Sequence, residues 1–220
     1  MRVDPATDVL LAVDVQPDFM PGGALPVPGG DQVVPVINRL LAGPFRHAVA
    51  TQDWHPPGHM SFAGTHPGRA PFETVTLPYG EQTLWPDHCV QGTKGAALHA
   101  GLDQSRIELI IRKGFRPETD SYSAFRENDR VMSTCLDVWL RGRGFRRLFL
   151  TGLATDYCVA WSAEDAVRAG FEVVVIADAC RGIGLPSAPG RTTVDDACDH
   201  LRRAHGVLFL DSAALRAERS

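Results

Sequence analysis

Short apolar runs rich in β-branched residues recur along this chain, and no other feature constrains its fold as strongly. Each run is bounded by turn residues and is nearly continuous in apolar character, as expected of strands buried on both faces. The predicted strands are Val9–Val15, His47–Thr51, Ile107–Ile111, Arg147–Thr151, Phe171–Ile176 and Val207–Leu210. Helical patterns lie between most of them, over Asp31–Leu41, Ser133–Arg141, Thr155–Ala169 and Thr193–Ala204.

The alternation of strands and helices predicts an α/β fold. We expect a three-layer sandwich in which a six-stranded parallel sheet, in the order 3-2-1-4-5-6, carries helices on both faces. The chain has 220 residues, which suits a single domain over residues 1–220. One region, about residues 53–95, is rich in Pro, Gly and His and shows little periodicity. A loop of this length is rare unless it serves a function, so we expect an insertion that carries part of the site.

Charge and composition exclude several classes of protein. The net charge is −4, and the densest basic cluster (Arg141, Arg143, Arg146 and Arg147) is typical of a solvated turn, so we expect no nucleic-acid partner. No apolar stretch reaches the roughly 18 residues of a membrane span, and no signal peptide is recognisable. The five cysteines are odd in number and scattered, which suits a reducing compartment, so we expect a cytoplasmic protein.

Polar residues follow consecutive predicted strands at the point where each strand ends. Asp14 closes the first, Asp53 and His55 follow the second, Lys113 follows the third, and Cys158 lies just past the fourth. The carboxyl ends of parallel strands meet at one edge, where α/β proteins bind their ligands. A carboxylate, a lysine and a cysteine brought together there are typical of a nucleophile with its activating groups.

Cys158 is the candidate nucleophile. Gly152 permits a tight turn from strand to helix, and Thr155 is the predicted N-cap of the helix that follows. Cys158 then lies in the first helical turn, where the helix dipole favours a thiolate and free N–H groups can bind an oxyanion. Position alone is equally compatible with a small buried cysteine that packs against the sheet. That structural role is our interpretation of Cys135, Cys180 and Cys198.

Asp14 and Lys113 are predicted to pair with each other. A carboxylate that ends an apolar run is costly to bury without a partner, whereas a lysine at a strand end is usually solvated. Lys113 is the natural partner of Asp14, and the functional interpretation of both improves if they flank Cys158.

The candidate metal ligands are Asp53, His55, His59 and His88. Asp53 and His55 lie two residues apart, so in an extended segment their side chains point to the same side. One carboxylate and two imidazoles leave coordination positions open for water or substrate and suit zinc, iron or manganese better than magnesium or calcium. We interpret the other histidines as ordinary surface or capping residues: His47, His66, His99, His200 and His205.

Taken in order, these segments resemble the isochorismatase-like cysteine hydrolases and, within them, the nicotinamidases. The resemblance extends over nearly the whole chain, and each matching segment carries residues discussed above or lies beside them. The matching segments are Val13–Phe19, Gln52–Pro56, Leu84–Thr93, Lys113–Gly114 with Asp120–Phe125, Gly152–Val159 and Asp178–Gly182.

The resemblance implies an amidohydrolase that converts nicotinamide to nicotinate and ammonia through a cysteine thioester, and that also accepts pyrazinamide. This chemistry belongs to pyridine nucleotide (NAD) salvage. Asp14 would take the proton of Cys158, Lys113 would orient the pair and stabilise the thiolate, and Cys158 would attack the amide carbonyl. The backbone N–H groups of Ala154 and Cys158 would form the oxyanion hole, beside a cis peptide bond between Leu153 and Ala154.

The resemblance also implies a ring-binding metal. One divalent ion, zinc foremost with iron or manganese as alternatives, would be held by Asp53, His55 and His88 and would bind the pyridine nitrogen. Whether His59 is a fourth ligand stays open, as does assembly into a homo-oligomer. The rings of Phe19, Trp85 and Tyr122 would form the walls around the pyridine carboxamide.

Three alternatives compete with this interpretation, the first from inside the family and the other two from other classes. A metal-free isochorismatase or another small-amide hydrolase would lack the ligand set of Asp53, His55 and His88. A flavodoxin-like binding module would need a Gly-rich phosphate loop after the first strand, and the residues from Gln16 to Phe19 are not one. An interaction domain without catalysis would not be expected to retain Asp14, Lys113 and Cys158.

Overall fold

A parallel sheet of six strands forms the centre of the computed structural model, which describes residues 1–217. We number the strands of this sheet together with those of a separate hairpin. In chain order they are β1 (Asp8–Val13), β2 (Ala48–Asp53), β3 (Thr74–Leu77), β4 (Gly80–Thr83), β5 (Ile107–Lys113), β6 (Arg147–Leu153), β7 (Glu172–Arg181) and β8 (Leu208–Leu210). β3 and β4 form a separate antiparallel hairpin, and the others lie in the order β8-β7-β6-β1-β2-β5. This is the predicted order, because β5, β2 and β1 are the third, second and first strands that the sequence pattern predicts.

Within residues 1–217, four α-helices surround the sheet: α1 (Val33–Ala42), α2 (Leu136–Gly142), α3 (Ala160–Arg168) and α4 (Thr193–His205). Helix α1 packs on β6 and β7, and α3 packs on β7 and on α4. The prediction of one helix over Thr155–Ala169 needs correction, because a π-helical turn at Thr155–Val159 precedes α3. The second helix begins at Leu136 instead of Ser133.

Shorter elements complete the described chain. Arg2–Val3 pairs in parallel with Arg216–Ala217, and Pro186–Ala188 pairs antiparallel with Arg191–Thr192. Short 3₁₀ turns span Pro17–Phe19, Gly30–Gln32, Ala63–Thr65, Gln104–Arg106 and Ser212–Ala214. Among residues 1–217, none of the helices combines the length and the apolar character that crossing a bilayer requires.

Burial differs between the centre and the edges of the sheet. Every residue of β1 and β2 is buried, and β1 pairs along its whole length with β6 from Asp8 to Val13. The prediction that all six strands are buried on both faces is wrong for β5, whose side chains alternate between partly buried and exposed. It is also wrong for β8, where Leu208 is exposed. Both are edge strands, and an edge strand has a neighbour on one side only.

Local sequence explains where α4 begins and ends. The Thr192 hydroxyl accepts a hydrogen bond from the Asp195 N–H, while the Asp195 carboxylate accepts one from the Thr192 N–H. This reciprocal capping satisfies two backbone donors that the first helical turn would otherwise leave unpaired. The helix ends at Gly206, whose φ of 64° lies in the left-handed region that glycine adopts without strain.

The loop-rich segment predicted at residues 53–95 contains one regular element that the sequence pattern did not reveal. The β3–β4 hairpin turns at Pro78 and Tyr79, and Gln82 on β4 is buried while its neighbour Glu81 is exposed. The rest of the segment lies over the carboxyl ends of the strands, with isolated bridges from His55 to Val90 and from Phe62 to Trp85.

Candidate active site

The predicted catalytic residues meet at the carboxyl edge of the sheet. Asp14 directly follows β1 and adopts a left-handed φ of 47°, while Lys113 is the last residue of β5. Cys158 lies in the π-helical turn after β6. All three side chains are buried.

Lys113 is the centre of this cluster. Its ammonium nitrogen lies 2.8 Å from Asp14 Oδ2, 2.9 Å from Asp53 Oδ1 and 3.3 Å from Cys158 Sγ. It also donates to the carbonyl of Ser121 at 3.0 Å. Burial by itself lowers the pKa of Lys113, but the two carboxylates outweigh it and raise that pKa well above its ordinary value, so the amine stays charged.

Asp14 is held from two directions. Thr51 Oγ1 donates to Asp14 Oδ1 at 2.6 Å and accepts from the Asp14 N–H at 3.0 Å. Burial raises the pKa of the Asp14 carboxyl, and the neighbouring Asp53 adds to this effect, whereas Lys113 and Thr51 oppose it. The net rise gives Asp14 a greater affinity for a proton than an exposed carboxylate has.

The turn that presents Cys158 depends on a close approach of two backbones. Gly152 has a φ of 106°, and a Cβ at this position would lie 2.0 Å from the carbonyl oxygen of Val13. No other residue fits between β6 and the end of β1. The peptide bond between Leu153 and Ala154 is cis. The N-cap is Ala154 rather than the predicted Thr155, and no side chain caps the turn.

The electrostatic state of Cys158 differs from the sequence prediction of a stabilised thiolate. Burial raises the pKa of the thiol well above its ordinary value, and the hydrogen bond to Asp14 acts in the same direction, while Lys113 lowers it. The prediction considered only the helix dipole and the lysine, and burial outweighs both. The raised pKa favours the thiol form, whose proton the neighbouring Asp14 carboxylate would accept.

The predicted metal ligands converge beside this cluster. Nε2 of His55 lies 3.1 Å from Asp53 Oδ2, and Nε2 of His88 lies 3.4 Å from the same oxygen. The ligand atoms of all three residues lie within 4.8 Å of one another. Nδ1 of His55 lies 3.0 Å from the carbonyl of Gly114, and Nδ1 of His88 lies 2.8 Å from that of Pro86. A carbonyl only accepts, so each Nδ1 carries a proton and each Nε2 faces the Asp53 carboxylate.

Asp53 supplies the negative charge of this group. Burial alone would raise the pKa of its carboxyl, but His55 and Lys113 outweigh burial and hold the pKa well below its ordinary value. One carboxylate and two imidazoles form a donor set that fits a divalent transition metal, and the backbone contacts already orient both rings.

His59 is engaged differently. Its Nε2 lies 2.9 Å from the carbonyl of Arg116 and its Nδ1 accepts from the N–H of Ser61 at 3.2 Å. A second group of potential ligand atoms comprises His55, His59 and Asp120. Since both ring nitrogens of His59 already have partners, the set of Asp53, His55 and His88 is the better fit.

Aromatic rings form the walls of the pocket above these groups. The predicted wall residues Phe19, Trp85 and Tyr122 line the same cavity as Cys158 and the three metal-ligand candidates. Trp85 Nε1 donates to the Tyr122 hydroxyl at 3.1 Å. Ala154, one of the two predicted oxyanion-hole residues, also lines this cavity. Sequence reasoning missed four further lining residues, Leu25, Asp120, Tyr157 and Ile183. Tyr157 directly precedes Cys158 in the sequence, and Asp120 lies two residues before Tyr122. This adjacency to predicted site residues is the signal by which both could have been found.

A buried glutamine joins the hairpin to this wall. Gln82 Nε2 lies 2.9 Å from Asp120 Oδ2 and 2.8 Å from the Tyr122 hydroxyl. Its Oε1 accepts from Tyr79 at 3.1 Å. This role of Gln82 is not predictable from the sequence, because Gln82 is 38 and 40 residues away from these two partners.

Comparison with known proteins agrees with this architecture. The Isochorismatase domain model matches residues 8–188. A nicotinamidase of Acinetobacter baylyi is 54% identical over 80% of this chain and 82% of its own. A solved nicotinamidase and pyrazinamidase of Acinetobacter baumanii is 45% identical and covers 96% of this chain and 99% of its own with a TM-score of 0.89.

A third relative bears on the metal. The pyrazinamidase of Pyrococcus horikoshii, solved in complex with zinc, is 35% identical and covers 93% of this chain and 98% of its own with a TM-score of 0.71. The domain match spans most of the chain, and the order of strands and segments agrees with it. The chain therefore belongs to the isochorismatase family.

Proposed function

We propose that this protein is a nicotinamidase, an amidohydrolase that converts nicotinamide and water to nicotinate and ammonia. One observation carries the proposal: a single aromatic pocket is lined both by the thiol of Cys158 and by the metal-ligand candidates Asp53, His55 and His88. Such a pocket can hold a flat ring at one end and a reactive carbonyl at the other. The names of the relatives at 54% and 45% identity support the same substrate.

The first half of the reaction forms a thioester. Asp14 takes the proton of the Cys158 thiol, and the sulfur attacks the carboxamide carbon. The backbone N–H groups of Ala154 and Cys158 bind the oxygen on which negative charge develops. Asp14 then gives its proton to the departing nitrogen, the carbon–nitrogen bond breaks, and ammonia leaves.

The second half hydrolyses the thioester. Asp14 takes a proton from a water molecule, whose oxygen attacks the acyl carbon. The carbon–sulfur bond breaks, the proton returns to the sulfur, and nicotinate leaves. Lys113 stays charged throughout, because it lies 2.8 and 2.9 Å from two carboxylates, and it stabilises the sulfur whenever that atom carries negative charge.

Asp53, His55 and His88 would hold one divalent ion, zinc foremost, with iron or manganese as alternatives. When bound, the ion supplies a Lewis acid for the pyridine nitrogen and so orients the ring. Phe19, Trp85 and Tyr122 enclose the ring and exclude water from it. Asp53 contacts Lys113 through Oδ1 and His55 through Oδ2. It therefore links the cluster around Cys158 to the metal-ligand candidates and sets the distance between them.

Release of ammonia from nicotinamide by the purified protein tests the proposal. We expect turnover that falls on treatment with a chelator and returns on addition of zinc, iron or manganese. Absence of turnover with nicotinamide but hydrolysis of another small amide would favour a related amidohydrolase. Pyrazinamide belongs in the same assay, because the Acinetobacter baumanii relative is named for both activities.

The cellular compartment is part of the proposal. The five cysteines, all within residues 1–217, form no disulfide, and three of them are buried. Free thiols are typical of a reducing compartment, and we assign the protein to the cytoplasm. Fractionation of cells against a periplasmic marker checks this.

A further inference from the structure

A second cluster of one carboxylate and two imidazoles lies away from the active site, between α3 and α4. It comprises Glu164 on α3 with His200 and His205 on α4, and we call it the α3–α4 cluster. Its histidines were interpreted as ordinary surface residues from the sequence. Their ring nitrogens instead face each other and the carboxylate across the groove between the helices.

The distances within the cluster match a metal site. Nε2 of His200 lies 3.2 Å from Nε2 of His205, and the Glu164 oxygens lie 3.5 Å from His205 and 3.9 Å from His200. Zinc–nitrogen bonds of about 2.0–2.1 Å put neighbouring nitrogens of a tetrahedral site about 3.3 Å apart. The imidazole pair therefore already has the separation of two zinc ligands, and the carboxylate needs only a small shift.

The charges and the exposure also favour a cation. Two imidazole nitrogens in contact repel each other if both are protonated, and a neutral pair leaves at least one lone pair directed into the cluster. Glu164 and His205 are largely shielded, with side chains 17% and 14% exposed, whereas His200 at 55% gives an ion access from solvent. Arg168 forms an ion pair with Glu164 Oε1, which orients the carboxylate and leaves Oε2 facing His200.

We propose that Glu164, His200 and His205 form a second divalent-metal site, which takes zinc or a similar transition metal and keeps a water molecule in its fourth position. Two imidazoles and one carboxylate are a known zinc donor set, and the imidazoles disfavour magnesium and calcium. The bound ion cross-links α3, which directly follows the turn bearing Cys158, to α4. The site is independent of the reaction proposed above.

Zinc titration of the chelator-treated full chain tests the proposal, with stoichiometry measured by calorimetry and by metal analysis after dialysis. We expect two zinc ions per wild-type chain and one in each of the variants His200→Ala and His205→Gln. Glu164→Gln should weaken the second binding event without abolishing it. His99→Ala, at a surface histidine outside both groups, is the matched control and should keep two.

A second arm isolates the α3–α4 cluster from the active site. In His55→Ala, the remaining zinc should raise the melting temperature, and adding His200→Ala should remove that rise. Far-UV circular dichroism and nicotinamide turnover should stay unchanged in His200→Ala, which shows that the variant is folded. The proposal is overturned if His200→Ala binds as many zinc ions as the wild type and the His99→Ala control, whatever that number is.

Discussion

The two ends of the pocket are built from different kinds of structure. We call the end with Asp14, Lys113 and Cys158 the thiol side, and the end with the metal-ligand candidates and the aromatic walls the ring side. On the thiol side, Asp14 directly follows the buried strand β1 and Lys113 ends the edge strand β5. Cys158 follows β6 across a turn that only glycine permits. On the ring side, His88 and Trp85 come from the loop-rich segment, where side-chain hydrogen bonds replace the ladder of a sheet.

Polar side chains join the two sides in addition to apolar packing, since Trp85 and Cys89 belong to the same hydrophobic core as the central strands. Gln16 Nε2 lies 2.8 Å from the carbonyls of both Asp53 and Ala96, and Gln52 Nε2 lies 2.7 Å from the Ala96 carbonyl. These contacts fasten the end of the loop-rich segment to the strand ends. The proposed function assigns the reacting groups to the strand ends and recognition of the ring to the loop-rich segment. Loss of chemistry and loss of recognition should therefore be separable by mutation.

Removal of the nucleophile should have the largest effect. Cys158→Ala should lower kcat by at least about 10⁴-fold, because no other group on the thiol side can form the acyl intermediate. Nicotinamide should still bind with near wild-type affinity, since the ring side is unchanged. Steady-state ammonia release and calorimetric binding measure the two quantities. If the variant keeps turnover within a few-fold of wild type, Cys158 is not the nucleophile.

Removal of one ring-side ligand should affect substrates selectively. In His55→Ala we expect kcat/KM for nicotinamide to fall by at least about 10²-fold, because the ring nitrogen loses its partner. Benzamide, which lacks that nitrogen, should be a poor substrate of the wild type and lose little further in the variant.

The same pair of substrates distinguishes ring binding from a purely structural metal. If the ion only holds the loop-rich segment in place, chelation should depress nicotinamide and benzamide hydrolysis alike. Parallel losses for both amides would contradict the ring-binding role, and Cys158 reactivity toward iodoacetamide in His55→Ala serves as the control for an intact thiol side.

Alkylation tests the state of the thiol. Burial raises the pKa of Cys158, and its side chain is 7% exposed, so iodoacetamide should label it more slowly than the exposed Cys135, by about tenfold or more at neutral pH. The rate at Cys158 should rise as pH increases toward its raised pKa, because only the thiolate reacts. Peptide mapping by mass spectrometry gives both rates. Faster labelling of Cys158 than of Cys135 at neutral pH would contradict the raised pKa and support a stabilised thiolate.

The smallest effect is expected at Gln82, which connects the β3–β4 hairpin to the aromatic wall of the pocket. Gln82→Leu removes the donor to Asp120 Oδ2 and one of the two donors to the Tyr122 hydroxyl, which should cost about 1–3 kcal/mol of unfolding free energy. KM for nicotinamide should rise several-fold while kcat changes little. Glu81→Ala, at the exposed neighbouring position, is the matched control for denaturant melts and kinetics. An equal change in both variants would show that Gln82 does not support the ring side of the pocket.

Much of the site was predictable because strand ends are predictable. Asp14, Asp53 and Lys113 were identified as neighbours from the apolar runs that precede them, and their contacts at 2.8 and 2.9 Å agree with that reasoning. The metal-ligand candidates were identified from residue type and from the resemblance to a family. Tyr157, Ile183 and Gln82 were not, because an aromatic, an aliphatic and an amide side chain carry no chemical signature of a site.

The order of the strands and the edge at which Asp14, Lys113 and Cys158 meet were predictable from the amino-acid sequence. Its apolar runs require burial on a sheet, and parallel strands necessarily align their carboxyl ends. Three properties emerge only in the packed molecule: the raised pKa of Cys158, the engagement of both nitrogens of His59 and the 3.2 Å approach of His200 to His205. These properties depend on burial and on distances between side chains of separate segments or successive helical turns, and such quantities exist only once the elements have packed.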